Sequence, residues 1–212
     1  MNRSAVILAN GSSSESEEDW LLSELHRKPL IARVTDIAKE VAEEVIVVTN
    51  FKQRAEKYSE LLGADSKLAI TSEAATGTLI GALTGFKIAQ GKHSLLLAAD
   101  MGLASRDVID LLFELCHGRT AAIPRWPDER IEPLQAVYHT KSALEAGRFA
   151  LEDGEVDISE LIENLGGVRY ISTLVIEEMN PGLKTFFNVN SPVDLKRAEG
   201  LVGTKPQKRR CT

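Results

Sequence analysis

Four short apolar runs, each followed by a segment of helical period, constrain this chain more than any other feature. Ala5-Val6-Ile7-Leu8, Val45-Ile46-Val47-Val48, Leu68-Ala69-Ile70 and Leu95-Leu96-Leu97-Ala98-Ala99 carry no polar alternation. That is the pattern of strands buried on both faces of a parallel sheet. Between them, a helix is predicted over Leu30 to Val41, after Pro29, a residue suited to a first helical turn. Another runs from Arg54 to Leu62 and stops at Gly63. In Thr78 to Gln90, the residues Leu79, Ala82, Leu83 and Phe86 share one helical face. The sequence therefore predicts an α/β, doubly wound, mostly parallel (Rossmann-like) sheet with helices on both faces, in a single domain.

The pattern loosens after Gly118. Ser105 is expected to cap a helix carrying Val108, Leu111, Leu112 and Leu115 on one stripe. Strands are predicted at Thr120 to Ile123, Gln135 to Tyr138 and Val168 to Glu178. Helices are predicted at Lys141 to Leu151, Ile158 to Asn164 and Val193 to Glu199. This less regular half is expected to cover one end of the sheet.

Composition excludes several classes of function. At 212 residues and 43% hydrophobic, the chain can bury a core without staples. No window approaches a membrane span, and the N-terminal apolar run is too short for a signal peptide. A net charge of −6 argues against nucleic acid as a partner. Two cysteines, Cys116 in an apolar run and Cys211 in the tail, make neither a disulfide framework nor a zinc site, so a cytoplasmic location is expected. Cys116 reads as core. His26, His93, His117 and His139 lack ligand spacing and read as surface or capping residues. The basic cluster Lys205, Lys208, Arg209 and Arg210 makes residues 205–212 a flexible, solvated tail.

Open parallel sheets bind ligands beyond the carboxyl ends of their strands. Two such ends stand out. Leu8-Ala9-Asn10-Gly11-Ser12-Ser13 is a small-residue turn where backbone N–H groups can approach a phosphate or base. Asp100 ends an apolar strand with a carboxylate suited to magnesium. An N-cap role for Asp100 is the alternative, although Ser105 is better placed for it.

These residues resemble the molybdenum cofactor guanylyltransferases and related nucleotidyltransferases. The first turn followed by Lys28-Pro29-Leu30 is similar to that family's L-A-G-G-x-S-x-R-M-G-x-x-K opening and its G-K-P-L. Gly77-Thr78-Leu79-Ile80-Gly81 resembles G-P-L-x-G, and Leu97-Ala98-Ala99-Asp100-Met101 resembles the strand ending in D-M-P. Phe187-Asn188-Val189-Asn190-Ser191-Pro192-Val193-Asp194-Leu195 is close to F-x-N-x-N-T-P-x-D-L, and Glu132-Pro133-Leu134 resembles a segment on the acceptor side.

The resemblance implies transfer of GMP from GTP to molybdopterin, with pyrophosphate leaving. It implies a nucleotidyltransferase domain over residues 1–204, with 1–104 the nucleotide-binding half and 105–204 the acceptor half. Leu8, Ala9, Gly11 and Asn50 would contact the nucleotide. Asp100 would be the catalytic, magnesium-holding carboxylate. Asn188 and Asn190 would lie near the acceptor phosphate or the metal. A molybdoenzyme or a homologue would be a protein partner.

The sequence departs from the family where the triphosphate would be gripped. Glu15 stands at the family's Arg, Glu17 at its Gly and Trp20 at its Lys, and Ser12 to Asp19 holds four carboxylates in eight residues. Losing one charge-stabilising donor typically costs about 3–4 kcal/mol in a transition state. Either another cation substitutes, with Arg27, Lys28 and Arg3 as candidates, or the chain binds nucleotide or pterin without turnover, alone or beside an active homologue. Trp126 either stacks on a pterin ring or packs its own loop.

Overall fold

The apolar runs become strands of one sheet. The computed structural model describes residues 2–9, 19–71 and 77–202. Gly11, Glu15, Glu17, Glu18, Glu73 and the basic tail therefore lie outside the described residues. Strand β1 (Arg3–Leu8) leads, after the 10–18 segment, to a small ribbon of β2 (Glu24–Leu25) and β3 (Lys28–Pro29). His26 and Arg27 turn between its strands in the left-handed region, with φ of 52° and 62°. Helix α1 (Leu30–Val41), strand β4 (Glu44–Thr49), helix α2 (Lys52–Leu62) and strand β5 (Lys67–Ile70) follow. Helix α3 (Thr78–Ile88), strand β6 (His93–Ala98) and helix α4 (Arg106–Leu115) complete the regular half. Beyond them come β7 (Ala121–Arg125), β8 (Gln135–His139), α5 (Thr140–Glu152), α6 (Ile158–Glu163), β9 (Val168–Ser172), α7 (Thr173–Met179) and α8 (Pro192–Val202).

The main sheet has seven strands in the order β5-β4-β1-β6-β8-β7-β9. All pairings are parallel except those of β8, which runs against both β6 and β7. Alternate residues of β1 serve opposite cores. Ala5 and Ile7 pack with Val34 of α1, Leu112 of α4 and Ile176 of α7. Val6 and Leu8 pack with Leu79 and Phe86 of α3, Ala146 of α5 and Leu161 of α6. The doubly wound prediction is therefore met. A satellite cluster of Leu25, Leu30, Val189 and Ala198 ties the ribbon to α8.

The second half differs from expectation in three ways. Rather than covering one end of the sheet, it extends the sheet by β7, β8 and β9, so one sheet crosses the 104/105 division. The predicted strand Val168 to Glu178 breaks at Ser172, where β7 ends at its partner Arg125 and no ladder remains to pair with. The Ser172 hydroxyl accepts from Leu174 N–H, and the chain turns into α7 with Ile176 facing the core. Ser105 does hold the N-cap position of α4, but its side chain makes no capping bond. Instead its backbone N–H donates to Thr185 Oγ1 at 2.9 Å.

Three of the four histidines also converge, contrary to their scattered spacing. The His93 ring centroid lies 5.2 Å from that of His117 and 5.8 Å from that of His139. Antiparallel pairing sets His93 opposite His139, and α4 returns His117 to the same end. His93 is buried, and burial together with its two imidazole neighbours pushes its pKa down to about 4. His139 caps α5 as expected, accepting from Ser142 N–H. Cys116 is buried in the core, also as expected.

Candidate functional site

The carboxyl ends of β1 and β6 open onto a cavity of about 490 Å³. Leu8 closes β1, Ala98 closes β6, and Ala99 and Asp100 follow it. The start of α3 adds Gly77 and Thr78, Leu134 comes from the approach to β8, and Val189 and Asn190 from the approach to α8. Asp19, Trp20, Leu21 and Arg54 complete the lining. This is the edge where an open parallel sheet is expected to bind its ligand.

Backbone bonds fix the base of the first turn. Ala99 N–H donates to Leu8 O at 3.0 Å, and Ala9 N–H donates to Val48 O at 2.8 Å. Gly77 sits at φ 143°, and a Cβ there would come 2.5 Å from Val156 O. Only glycine lets the chain enter α3 this close to its neighbour.

Asp100 is held from both sides. Its carbonyl accepts from Val189 N–H at 3.0 Å, and Val189 is itself locked in the satellite core. Because residues alternate along that segment, burying Val189 turns Asn188 and Asn190 outward, and Asn190 reaches the cavity. Burial pushes the Asp100 carboxyl above its ordinary value, against the pull of its own backbone N–H and the Asn190 side chain. Its Oδ1 is buried with no hydrogen-bond partner. A desolvated, unpartnered carboxylate oxygen is a natural ligand for a cation. No cluster of three His, Cys, Asp or Glu able to hold a metal occurs among the described residues. A cation here would depend on Asp100, water and ligand oxygens. That donor set fits magnesium, which keeps several waters and binds through one or two carboxylates plus phosphates.

The wall between α2 and the segment before α1 carries a polar unit. Arg54, in the first turn of α2, is only 5% exposed. Its Nε lies 3.8 Å from Asp19 Oδ2, and its guanidinium stacks 4.9 Å from the Phe51 ring centroid. The same carboxylate oxygen accepts from the Tyr58 hydroxyl at 2.7 Å, while Asp19 Oδ1 accepts from Leu21 N–H at 3.1 Å. Burial and Asp19 together push the Tyr58 phenol pKa up.

Leu8, Asp100 and Asn190 are thus brought together in one cavity. Ala9 lies beneath it in the core, Asn50 is buried at the end of β4, and Asn188 is exposed outside the lining. The N-cap alternative for Asp100 fails, since Ser105 occupies that position. None of the three substitute cations lines the cavity. Lys28 pairs with Asp36, Arg27 turns the ribbon, and Arg3 pairs with Asp110 at 2.6 Å at the amino end of β1. Trp126 packs its own loop, its ring 5.9 Å from that of Phe186 and its Nε1 donating to Glu132 Oε1 at 2.6 Å. Arg54 was not foreseen. Its signal was an arginine one turn before a tyrosine on the inward face of a helix.

Comparison with known proteins agrees with this fold. Residues 5–168 match the family described as MobA-like NTP transferase domain. A probable molybdenum cofactor guanylyltransferase of Methanosarcina mazei is 30% identical, covering 97% of this chain and 92% of its own. Another, of Methanosarcina acetivorans, is 28% identical over 95% of this chain and 92% of its own. The crystal structure of molybdopterin-guanine dinucleotide biosynthesis protein A from Archaeoglobus fulgidus shares the fold, with a TM-score of 0.77 at 24% identity. That match covers 94% of this chain and 98% of the other. No helix of the described residues is long and apolar enough to cross a membrane.

Proposed function

The chain belongs to the MobA-like NTP transferase family and is a nucleotidyltransferase, and we propose that it transfers GMP from GTP to molybdopterin. An oxygen of the terminal phosphate of molybdopterin bonds to the α-phosphorus of GTP. The bond from that phosphorus to the bridging oxygen breaks, and pyrophosphate leaves with the electron pair. The names of the two relatives support this choice of substrates. The observation that carries it is the bare, buried Asp100 Oδ1, in one cavity with the end of β1 and Asn190.

Such transfers depend on positioning and charge neutralisation more than on covalent chemistry. Leu8 and the turn after it, Ala9 and Gly11 included, receive the nucleoside, with Asn50 as a further contact. Asp100 holds magnesium, with Asn190 orienting the carboxylate and Asn188 facing the acceptor side. Magnesium supplies the neutralising charge that phosphate oxygens need when one anion attacks another. Purified protein incubated with GTP, magnesium and molybdopterin should yield the dinucleotide and pyrophosphate. Absence of both beside a competent control enzyme overturns the reading.

One observation favours a second reading. Among the described residues, two carboxylates but a single cation line the cavity, and Trp20 stands where the family carries Lys. A chain so short of cations would bind nucleotide or pterin without turnover, alone or beside an active homologue. Calorimetry that finds GTP bound, with no product formed, selects this second reading.

A further inference from the structure

A nucleoside triphosphate brings about four negative charges into a cavity already lined by Asp19 and Asp100. A divalent ion at Asp100 offsets part of that charge, and Arg54 is the one cation among the described lining residues. Arg54 follows β4 and Asp100 follows β6, so they flank β1 in the sheet order. A polyphosphate laid across the end of β1 from Asp100 therefore runs toward Arg54. The guanidinium also reaches Asp19, the residue next to Trp20.

We propose that Arg54 is the phosphate-binding cation of this site, gripping the phosphates that leave as pyrophosphate, in place of the cations absent from the loop. This rests on the nucleotidyltransferase reading above and names a residue for it. Two features suit Arg54 to the task. Its guanidinium is buried, so a phosphate meets it with little competing water. Stacking on Phe51 orders its plane before any ligand arrives, and a planar fork matches phosphate oxygens with two parallel bonds. Asp19 Oδ2 lies 3.8 Å from its Nε. Asp19 keeps its bonds from Tyr58 and Leu21 N–H when a phosphate draws the guanidinium away. Asp19 is then a resident anion with which the incoming phosphate competes.

The test is calorimetric titration of the full chain with GTP, GMP, guanosine and pyrophosphate in magnesium. Arg54→Met should weaken GTP and pyrophosphate binding by roughly 10- to 100-fold, the usual worth of hydrogen bonds to a charged group. Guanosine affinity should change less than about twofold if Arg54 grips the phosphates alone. Arg54→Lys should recover part of the loss, short of the bidentate share. Asp19→Asn should act in the opposite direction, tightening pyrophosphate a few-fold, about as one competing ion pair predicts. The double variant Arg54→Met with Asp19→Asn guards against an unpaired buried carboxylate disturbing the fold, and it should still lose pyrophosphate while keeping guanosine. Equal loss for GTP and guanosine, or unchanged pyrophosphate binding in a folded Arg54→Met, overturns the assignment of Arg54 while leaving the nucleotide site standing. If the wild-type chain binds neither GTP nor pyrophosphate, the guanylyl-transfer reading falls, and this assignment with it.

Discussion

The two edges of the main sheet treat their polar groups in opposite ways. At the amino ends of the parallel strands, several polar side chains bond to one another. Glu44 opens β4 and accepts from Ser4 Oγ at 2.6 Å, from Lys67 Nζ at 2.5 Å and from Gln90 N–H at 2.9 Å. Ser4 Oγ accepts in turn from Gly91 N–H at 2.8 Å, and Thr140 Oγ1 donates to Gly91 O at 2.7 Å. At the carboxyl edge, by contrast, Thr49, Thr71, Asp100, Gln135 and Thr173 each hold a buried oxygen without a hydrogen-bond partner. Gln135 belongs with them because antiparallel β8 starts where its neighbours end. Ser66, just before β5, is the exception. Unmade bonds of this kind cost about 1–3 kcal/mol each, so their clustering needs a reason. Ligand binding supplies one: stability is built at one edge, and bonding capacity is held open at the other.

The largest effect should come from removing that capacity at its charged member. Asp100→Asn should lower guanylyl transfer by about a thousandfold, the scale of losing one charge-positioning group in such a reaction. Its thermal midpoint should stay the same or rise, since a desolvated carboxylate has been neutralised. Kinetics and a melting curve measured on the same sample decide the matter. A midpoint lowered like that of a core variant would erase the contrast between the edges.

At the other edge the balance should reverse. Glu44→Ala leaves Ser4 and Gln90 N–H without their acceptor and should cost about 3–4 kcal/mol in urea unfolding. GTP affinity of the folded fraction should not change. The two carboxylates also answer acid with opposite signs. Burial pushes Glu44 up, but bonds from Gln90 N–H, Lys67 and Ser4 outweigh it and hold the carboxyl below its ordinary 4.5. A depressed carboxylate contributes stability above its unfolded pKa and loses it as pH falls through the folded value. Asp100, raised above 3.8, costs stability at neutral pH and returns it as pH falls through its folded value. Acid unfolding followed for both variants should shift in opposite directions.

His93 adds a third, smaller term at the amino edge. It is buried neutral, with its pKa held from 6.5 down to about 4. The unfolded chain takes up a proton below 6.5 that the folded chain refuses, so this term vanishes above that pH and grows as a penalty toward 4. The wild type should lose about 2–3 kcal/mol across that window from this group, and His93→Gln should lose less. Equal slopes in stability against pH would show that the histidine cluster bears no such load.

Much of this organisation was legible in the sequence, for identifiable reasons. Ala5 to Leu8 and Val45 to Val48 read as strands because burial on both faces leaves no polar residue to confuse the period. Asp100 stood out because a carboxylate at the end of such a run has few structural uses. What escaped depends on long-range pairing. His93 and His139 are 46 positions apart, and only the antiparallel direction of β8 sets them opposite each other. Leu174-Val175-Ile176 has strand composition, yet β7 ends before those residues could pair. Arg54 escaped because an arginine in a polar helix reads as solvated surface. Only the partners Asp19, Phe51 and Tyr58 show that it faces inward.

The smallest effect tests whether the few bonds made at the carboxyl edge matter as much as those opposite. Tyr58 is fully buried in the core, and its hydroxyl reaches the cavity wall to donate to Asp19 at 2.7 Å. Tyr58→Phe deletes that one bond and keeps the ring. Asp19 retains Leu21 N–H and the Arg54 ion pair, so no buried charge is left bare. The expected cost is about 1 kcal/mol in urea unfolding, near the usual net worth of a hydrogen bond. Pyrophosphate affinity should change by less than about threefold, because the variant leaves the Arg54 guanidinium and its Phe51 stack in place. A loss of 3 kcal/mol or more would mean that this edge is as tightly bonded as the amino edge. The open oxygens around Asp100 would then need some explanation other than a ligand.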